Sequence, residues 1–408
     1  MVKELFDCNK EYGIVLEGGG AKGAYQIGAW KAFLECGINI KGVAGVSVGA
    51  LNGALICMGD YEKAVDLWRN ISYSRIMSVD DLQMDKLIRG KFKELDLQQV
   101  SKQGKQFFED RGFDVAPLRQ LVEENIDEKK IKKSNIEFYM GTFSISNLKE
   151  MEISAKEAEE GFLKDYLLAS ANFPLFKNEK LNGMKFLDGG IINNVPIDML
   201  INRGYKNIIV VRIFGIGIEK KVKIPEDVNV IYIAPRCELC NILEFNKKKA
   251  TRNITLGYYD AMKVLKSLCG RDYYIQSQRS EVEYLEAMLT LDEDARRKLL
   301  QRFKKENITN TSPVRILTEE VYPLLAASFK LGKSWEYGDL YYAILEYIAK
   351  KFRIPKFKIY SEFEFLNLLE NKLSERNPTE EKDDFLFGMA LSILHSSRFI
   401  LDKCIELE

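Results

Sequence analysis

Histidine is almost absent from this 408-residue sequence, where His395 stands alone. A metal centre built on clustered imidazoles is therefore excluded, and any nucleophile has one histidine at most to activate it. Net charge is absent too. Sixty Lys and Arg face sixty Asp and Glu, so nothing in the balance selects nucleic acid as partner. No apolar run reaches the ~20 residues that a membrane span needs. The nearest, Gly42–Met58, contains Ser47, Asn52 and several glycines, and reads as buried strand, turn and helix. The N-terminal residues are too polar for a secretory leader. The seven cysteines are few and scattered, as free thiols in a reducing compartment would be. Cys237-Glu238-Leu239-Cys240 has the spacing of a redox or half-zinc motif, yet no second CxxC and no placed histidine completes a site. The expectation is a cytoplasmic protein without metal or cofactor, touching membrane at most peripherally. The sequence indicates no oligomeric state.

What is present has ordinary globular composition, 46% hydrophobic and 29% charged. Tyr12–Glu17 is a short β-branched run that stops at Gly18-Gly19-Gly20, a strand followed by a glycine turn. Ala24–Glu35 carries Tyr25, Ile27, Trp30 and Leu34 at helical spacing and ends at Gly37. Lys41–Val46 and Val48–Met58 repeat the strand–helix unit, which indicates a parallel α/β core. Further strands are expected at Ile136–Phe143, Lys185–Leu187, Asn207–Ile213 and Val228–Ile233. The charged segment Tyr61–Lys133 reads as a helical cap or insertion. From Glu238 onward the patterning is mainly helical, most clearly at Leu340–Ile348 and Phe385–Phe399. The predicted organisation is an α/β domain over residues 11–270 and a mainly helical region over 271–408. The basic clusters Lys129–Lys133 and Lys247–Lys249 read as solvated helix faces or as contacts for an anionic membrane.

Gly18-Gly19-Gly20-Ala21-Lys22-Gly23 fits three chemistries when taken alone. A dinucleotide fingerprint wants an acidic residue about 20 positions on, and Ile38–Asn52 contains none. A P-loop fails because Gly23 is followed by Ala24 instead of Lys-Ser or Lys-Thr. An oxyanion hole or a plain tight turn remains: in the former, consecutive glycines let backbone N–H groups face a concavity, and the helix behind adds its positive end.

Gly45-Val46-Ser47-Val48-Gly49 is G-x-S-x-G between a strand and a helix, the context of a nucleophile elbow. Its glycines answer a steric need, because side chains at both positions would collide across so sharp a turn. The general base for Ser47 is open between two candidates. The order Ser47, Asp188, His395 is that of an α/β-hydrolase triad, but His395 lies in a helix-like run, and triad histidines usually come from loops. The other candidate is Asp188 acting directly, set between the short strand Met184–Leu187 and the turn glycines Gly189 and Gly190.

These motifs together resemble the patatin-like phospholipases, whose signature is G-x-G-x-[Lys/Arg]-G, then G-x-S-x-G, then Asp-Gly-Gly/Ala. Here they stand at Gly18–Gly23, Gly45–Gly49 and Asp188–Gly190. Leu168–Phe176 is similar to the segment before the Asp motif, Asn193-Asn194-Val195-Pro196 to the segment after it, and Gly257-Tyr258-Tyr259-Asp260 to the end of the bacterial catalytic domain. The resemblance covers about Tyr12 to Gly270. It implies a three-layer α/β/α fold with a mostly parallel central sheet, and a metal-free Ser47–Asp188 dyad. It also implies that Gly19 and Gly20 supply oxyanion donors and that Lys22 brings positive charge near the oxyanion or phosphate. The implied function is ester hydrolysis of a phospholipid or other acyl lipid. Glu17, before the glycines, departs from the Asp or Ser common in the family. In the segment Tyr61–Lys133, Leu82, Met84, Leu87, Ile88 and Phe92 have the spacing of a lid over an acyl channel, although such residues are more often plain core. A non-catalytic lipid- or phosphate-binding module on the same scaffold, and a nucleotide-dependent enzyme, are the rivals from other classes.

Overall fold

The computed structural model describes residues 6–90, 112–303 and 312–375 except positions 8, 178, 179, 182 and 292, together with Leu386, Met389, Ala390, Ile393 and Leu394. Two compact units divide it, one over Phe6–Leu265 and one over the described residues from Lys266 onward.

In the first unit, β1 (Glu11–Leu16), α1 (Ala24–Glu35), β2 (Asn39–Val46) and α2 (Val48–Met58) follow each other as two βα units. Four helices occupy the described part of the next segment: α3 (Tyr61–Arg69), α4 (Asp81–Ile88), α5 (Ala116–Asn125) and α6 (Glu128–Lys133). Then come β3 (Glu137–Ser144), β4 (Lys149–Ser154), α7 (Leu163–Ser170), β5 (Phe186–Asp188), α8 (Ile197–Ile201), β6 (Asn207–Val211), β7 (Asn229–Ile233) and α9 (Lys247–Leu265). The strands form one sheet in the order β4-β3-β2-β1-β6-β7, with β5 also paired to β3. β1, β2, β3, β6 and β7 are parallel, whereas β4 and β5 run antiparallel to β3.

Alternation along the strands feeds two cores, because successive side chains leave opposite faces. Val15, Ala44, Ile208 and Val210 pack with Ile197, Met199 and Leu200 on one face. On the other, Val43 and Phe138 press against α2 at Gly53, where a Cβ would come within 2.7 Å of Phe138. Helices therefore flank the sheet on both sides, in the three-layer α/β/α arrangement. α1 crosses α9 at very close range through two glycines. A Cβ on Gly28 would lie 1.9 Å from the Ile254 carbonyl, and one on Gly257 1.9 Å from the Tyr25 carbonyl. Tyr25 Oη donates to Asp260 at 3.2 Å and Arg236 pairs with Asp260 at 2.9 Å, locking the same crossing.

β4 was not expected from the sequence. Its residues Lys149, Glu150 and Glu152 are polar and only Ile153 is buried, which suits a charged edge strand. The second unit is mainly helical: α10 (Glu281–Leu289), α11 (Glu293–Arg302), α12 (Tyr322–Ser328), α13 (Tyr337–Lys351) and α14 (Glu362–Ser374). It also holds a two-stranded parallel sheet of β8 (Tyr274–Gln276) and β9 (Ile359–Ser361), again unexpected. Leu386, Met389, Ala390, Ile393 and Leu394 recur at helical spacing and pack into its core. Buried Glu346 accepts N–H bonds from Arg271, Asp272 and Tyr273, which fixes the entry turn of this unit. Among the described residues, no helix is long and apolar enough to cross a membrane.

Candidate functional site

The chain runs outward from β1 to β2 and β3, then returns to the other side of β1 with β6. The carboxyl ends of β1 and β6 thus border a switch point, where open α/β sheets form their crevices. Five strand ends deliver the site there. β1 leads into the glycine turn, β2 into Ser47, β3 pairs with β5 to hold Asp188, and β6 leads into the loop from Arg212 onward.

Ser47 joins β2 to α2 with φ 56° and ψ −127°, a strained conformation for a residue with a side chain. The turn is tight enough to require its glycines. A Cβ on Gly45 would lie 2.3 Å from the Gly49 carbonyl oxygen, and one on Gly49 2.2 Å from that of Leu16. The Ser47 N–H donates to Ser170 Oγ at 3.0 Å, and the Ser170 hydroxyl donates to the Gly141 carbonyl at 2.6 Å.

Asp188 ends β5 opposite Thr142 and is buried, at 6% exposure. Its Oδ1 accepts the Gly190 N–H at 2.8 Å, and its own N–H donates to the Asn172 carbonyl at 2.9 Å. Burial pushes its carboxyl up to about 6, against the opposing pull of hydrogen bonds from the Ser47 side chain and the Gly190 N–H. Ser47 and Asp188, one of the two candidate bases that the sequence left open, thus line the same cleft. Gly189 and Gly190 admit no side chain: a Cβ would come within 2.4 Å of the Gly141 carbonyl and 2.5 Å of Asn194 Oδ1, respectively.

The glycine turn packs on the same site. A Cβ on Gly18 would sit 2.5 Å from Asn194 Oδ1 and 3.2 Å from Ser47 Cβ. Gly20 has φ 54° and lies over the Ile242 carbonyl, while Ala21 N–H donates to that carbonyl at 2.8 Å. Beneath the turn runs a buried polar chain. Gln26 Nε2 donates to the Glu17 carbonyl at 2.7 Å, Asn52 Nδ2 to Gln26 Oε1 at 2.8 Å, and Trp68 Nε1 to Asn52 Oδ1 at 2.9 Å. Gly19, Gly20, Ser47, Asp188 and Asn194 open together on a cleft of about 940 Å³, its mouth included. Its remaining walls are almost wholly apolar.

Two expectations from sequence fall elsewhere. Lys22 does not line the cleft; its ammonium donates to the Phe214 carbonyl. The segment after α2 does wall the cleft, but through Leu67, Trp68, Ile71, Ile76, Leu118 and Leu121. Leu82, Met84, Leu87 and Ile88 take no part in the lining; Leu82 is exposed and Met84 is buried. Phe92 and His395 lie outside the described residues. The CxxC thiols are engaged singly, Cys237 by Arg252 and Cys240 by Asn253, and among the described residues no group of three His, Cys, Asp or Glu could hold a metal.

Glu17 is the residue whose importance sequence reasoning missed. It is buried to 2% and accepts N–H bonds from Ile213 at 2.6 Å, Phe214 at 3.0 Å and Gly215 at 3.1 Å, while pairing with Arg212 at 3.0 Å. A lone acid ending an apolar strand was the available signal, since such a group is kept only when it is paired and hydrogen-bonded.

Residues 14–201 match the family model described as patatin-like phospholipase. Among curated proteins, the chain is 29% identical over 199 residues to neuropathy target esterase sws of Drosophila melanogaster, covering 49% of this chain and 12% of that protein. It is 52% identical over 48 residues to lysophospholipase nte1 of Aspergillus terreus, covering 12% and 3%. The chain thus spans a small part of the length of these relatives. Among solved structures, VipD from Legionella pneumophila is 15% identical, with 94% of this chain and 90% of that one covered at a TM-score of 0.39.

Proposed function

We propose that this protein, whose residues 14–201 match the family model described as patatin-like phospholipase, is a serine acyl hydrolase that cleaves lipid esters with a Ser47–Asp188 dyad. The observation that carries the reading is that the strained Ser47 and the buried Asp188 line one apolar cleft.

Ser47 Oγ attacks the acyl carbonyl while Asp188 accepts its proton. The C–O bond to the alcohol then breaks, the alcohol leaves with the proton from Asp188, and water activated by the same carboxylate releases the fatty acid. A carboxylate in its ordinary range is a weak base; raised to about 6, Asp188 is stronger yet still ionised at neutral pH. The Gly19 and Gly20 N–H groups serve as donors to the oxyanion, each contributing ~3 kcal/mol to the transition state. The positive N-terminal end of α2 assists by facing the attacking oxygen. Lys22 acts on the oxyanion only indirectly, by holding the Phe214 carbonyl beside the glycine turn. The apolar walls accept the acyl chain, and a phospholipid or lysophospholipid is the substrate class that fits both the chemistry and the cleft.

The test is mass spectrometry of a lipid extract incubated with wild type and with Ser47→Ala. Free fatty acid released by wild type and absent from the variant supports the reading. A fluorophosphonate probe that leaves folded wild-type Ser47 unlabelled refutes it.

A further inference from the structure

Beyond β6 the chain reads Phe214-Gly215-Ile216-Gly217-Ile218, followed by Glu219 and then Lys220, Lys221 and Lys223. Its three large apolar side chains are exposed, at 53%, 72% and 58%, although each would be more stable buried. The backbone that presents them is tied down at both ends. Glu17 takes the N–H groups of Phe214 and Gly215, Lys22 donates to the Phe214 carbonyl, Ile218 N–H donates to the Gly190 carbonyl at 2.9 Å, and Ile218 C=O accepts the Asn194 N–H at 2.7 Å. The alternating glycines face inward. A Cβ on Gly215 would lie 1.8 Å from the Gly18 carbonyl, and one on Gly217 2.5 Å from the Gly190 carbonyl. Phe214 moreover adopts φ 49°, a left-handed conformation unfavourable for an aromatic residue. A loop kept this rigid and this apolar at solvent has been shaped for contact.

We infer that Phe214, Ile216 and Ile218 form a fixed prong that inserts into the surface of an anionic lipid bilayer beside the cleft mouth. Ile216 itself lines the cleft, so the apolar surface is continuous from solvent into the proposed acyl site. Lys221 and Lys223, which make no ion pair with a described residue, follow the prong and supply the charge complementary to anionic headgroups. Shallow insertion of apolar residues backed by lysines is how interfacial proteins hold a membrane. The inference rests on the lipid-hydrolase reading for its purpose, because a prong at the mouth would let an acyl chain pass from bilayer to cleft without crossing water.

Vesicle flotation tests it, with phosphatidylcholine alone and with about one lipid in five replaced by phosphatidylglycerol. Wild type is expected to bind the anionic vesicles about fivefold or more tightly than the neutral ones. Ile218→Asn changes an exposed side chain outside the cleft. This variant should bind vesicles about tenfold or more weakly, while hydrolysing a soluble nitrophenyl butyrate within about twofold of wild type. Lys221→Glu with Lys223→Glu should weaken binding to anionic vesicles only. Failure of wild type to bind vesicles, or unchanged binding by the asparagine variant, overturns the inference and leaves the surface to a protein partner. Wild type that binds vesicles but cleaves no ester, soluble or lipid, refutes the hydrolase reading and leaves the prong standing.

Discussion

Replacing Asp188 with asparagine should do two opposite things, and their joint pH dependence is the sharpest check on the dyad. Burial raises the Asp188 carboxyl from its ordinary value of 3.8 to about 6. Between those two values the unfolded chain has lost its proton and the folded chain has kept it, so wild-type stability falls as pH rises through this window. Above about 6 both states are ionised and the penalty is constant. A shift of about two units corresponds to about 3 kcal/mol at neutral pH, as an order of magnitude. The neutral amide of the Asp188→Asn variant would carry no such penalty and could still accept the Gly190 N–H. Chemical denaturation at a series of pH values should therefore show Asp188→Asn gaining on wild type from pH ~4 to ~6 and then holding a plateau of that size. Activity should move the other way. An amide accepts no proton in this range, so ester turnover should fall by at least ~10³-fold. Wild-type turnover should drop on the acid side with a midpoint near 6, where Asp188 becomes protonated. A variant that keeps nearly full activity, or a stability difference that is flat with pH, refutes the reasoning.

His395→Ala should keep wild-type ester turnover within about twofold; loss of activity there, with Asp188→Asn still active, would replace the dyad by a triad. Glu17→Ala would leave three loop N–H groups without their acceptor while Arg212 keeps Glu219, and leaving a buried donor unsatisfied costs about 1–3 kcal/mol. Thermal unfolding should register that loss, and any folded variant should show a raised KM as the Phe214 loop loosens. Gly257→Ala would drive a methyl into the Tyr25 carbonyl. The resulting separation of α1 from α9 should cost about 1–3 kcal/mol in urea unfolding.

The local features of the site were legible because each is a short-range necessity. A strand that must turn within one residue into a helix needs Gly45 and Gly49, and a turn packed under Gly141 and Asn194 needs Gly189 and Gly190. The positions of α1 and α2 could be read to the residue, since small and apolar residues recur there at helical spacing and glycine punctuates their ends. β4 could not, because an edge strand buries one side chain and otherwise resembles a charged loop. The cleft wall comes from a different stretch of the segment than the one whose spacing suits a lid. Leu82 and Leu87 have amphipathic spacing, but spacing does not tell which apolar face meets which neighbour, and both are exposed.

By itself the sequence determined the candidate nucleophile, the candidate bases, the glycine turn and the α/β class, because backbone sterics restrict which residues can occupy such turns. Tertiary structure decided what no local rule contains. It brought Asp188 onto Ser47 although the two lie far apart in the chain, and it took Lys22 away from the cleft to the Phe214 carbonyl. It also made Glu17 the acceptor that pins a loop nearly two hundred residues distant. The reason is physical: a buried charge or an orphaned N–H must find its partner wherever the sheet order puts one, and that order is set by packing over the whole unit rather than by any stretch of chain.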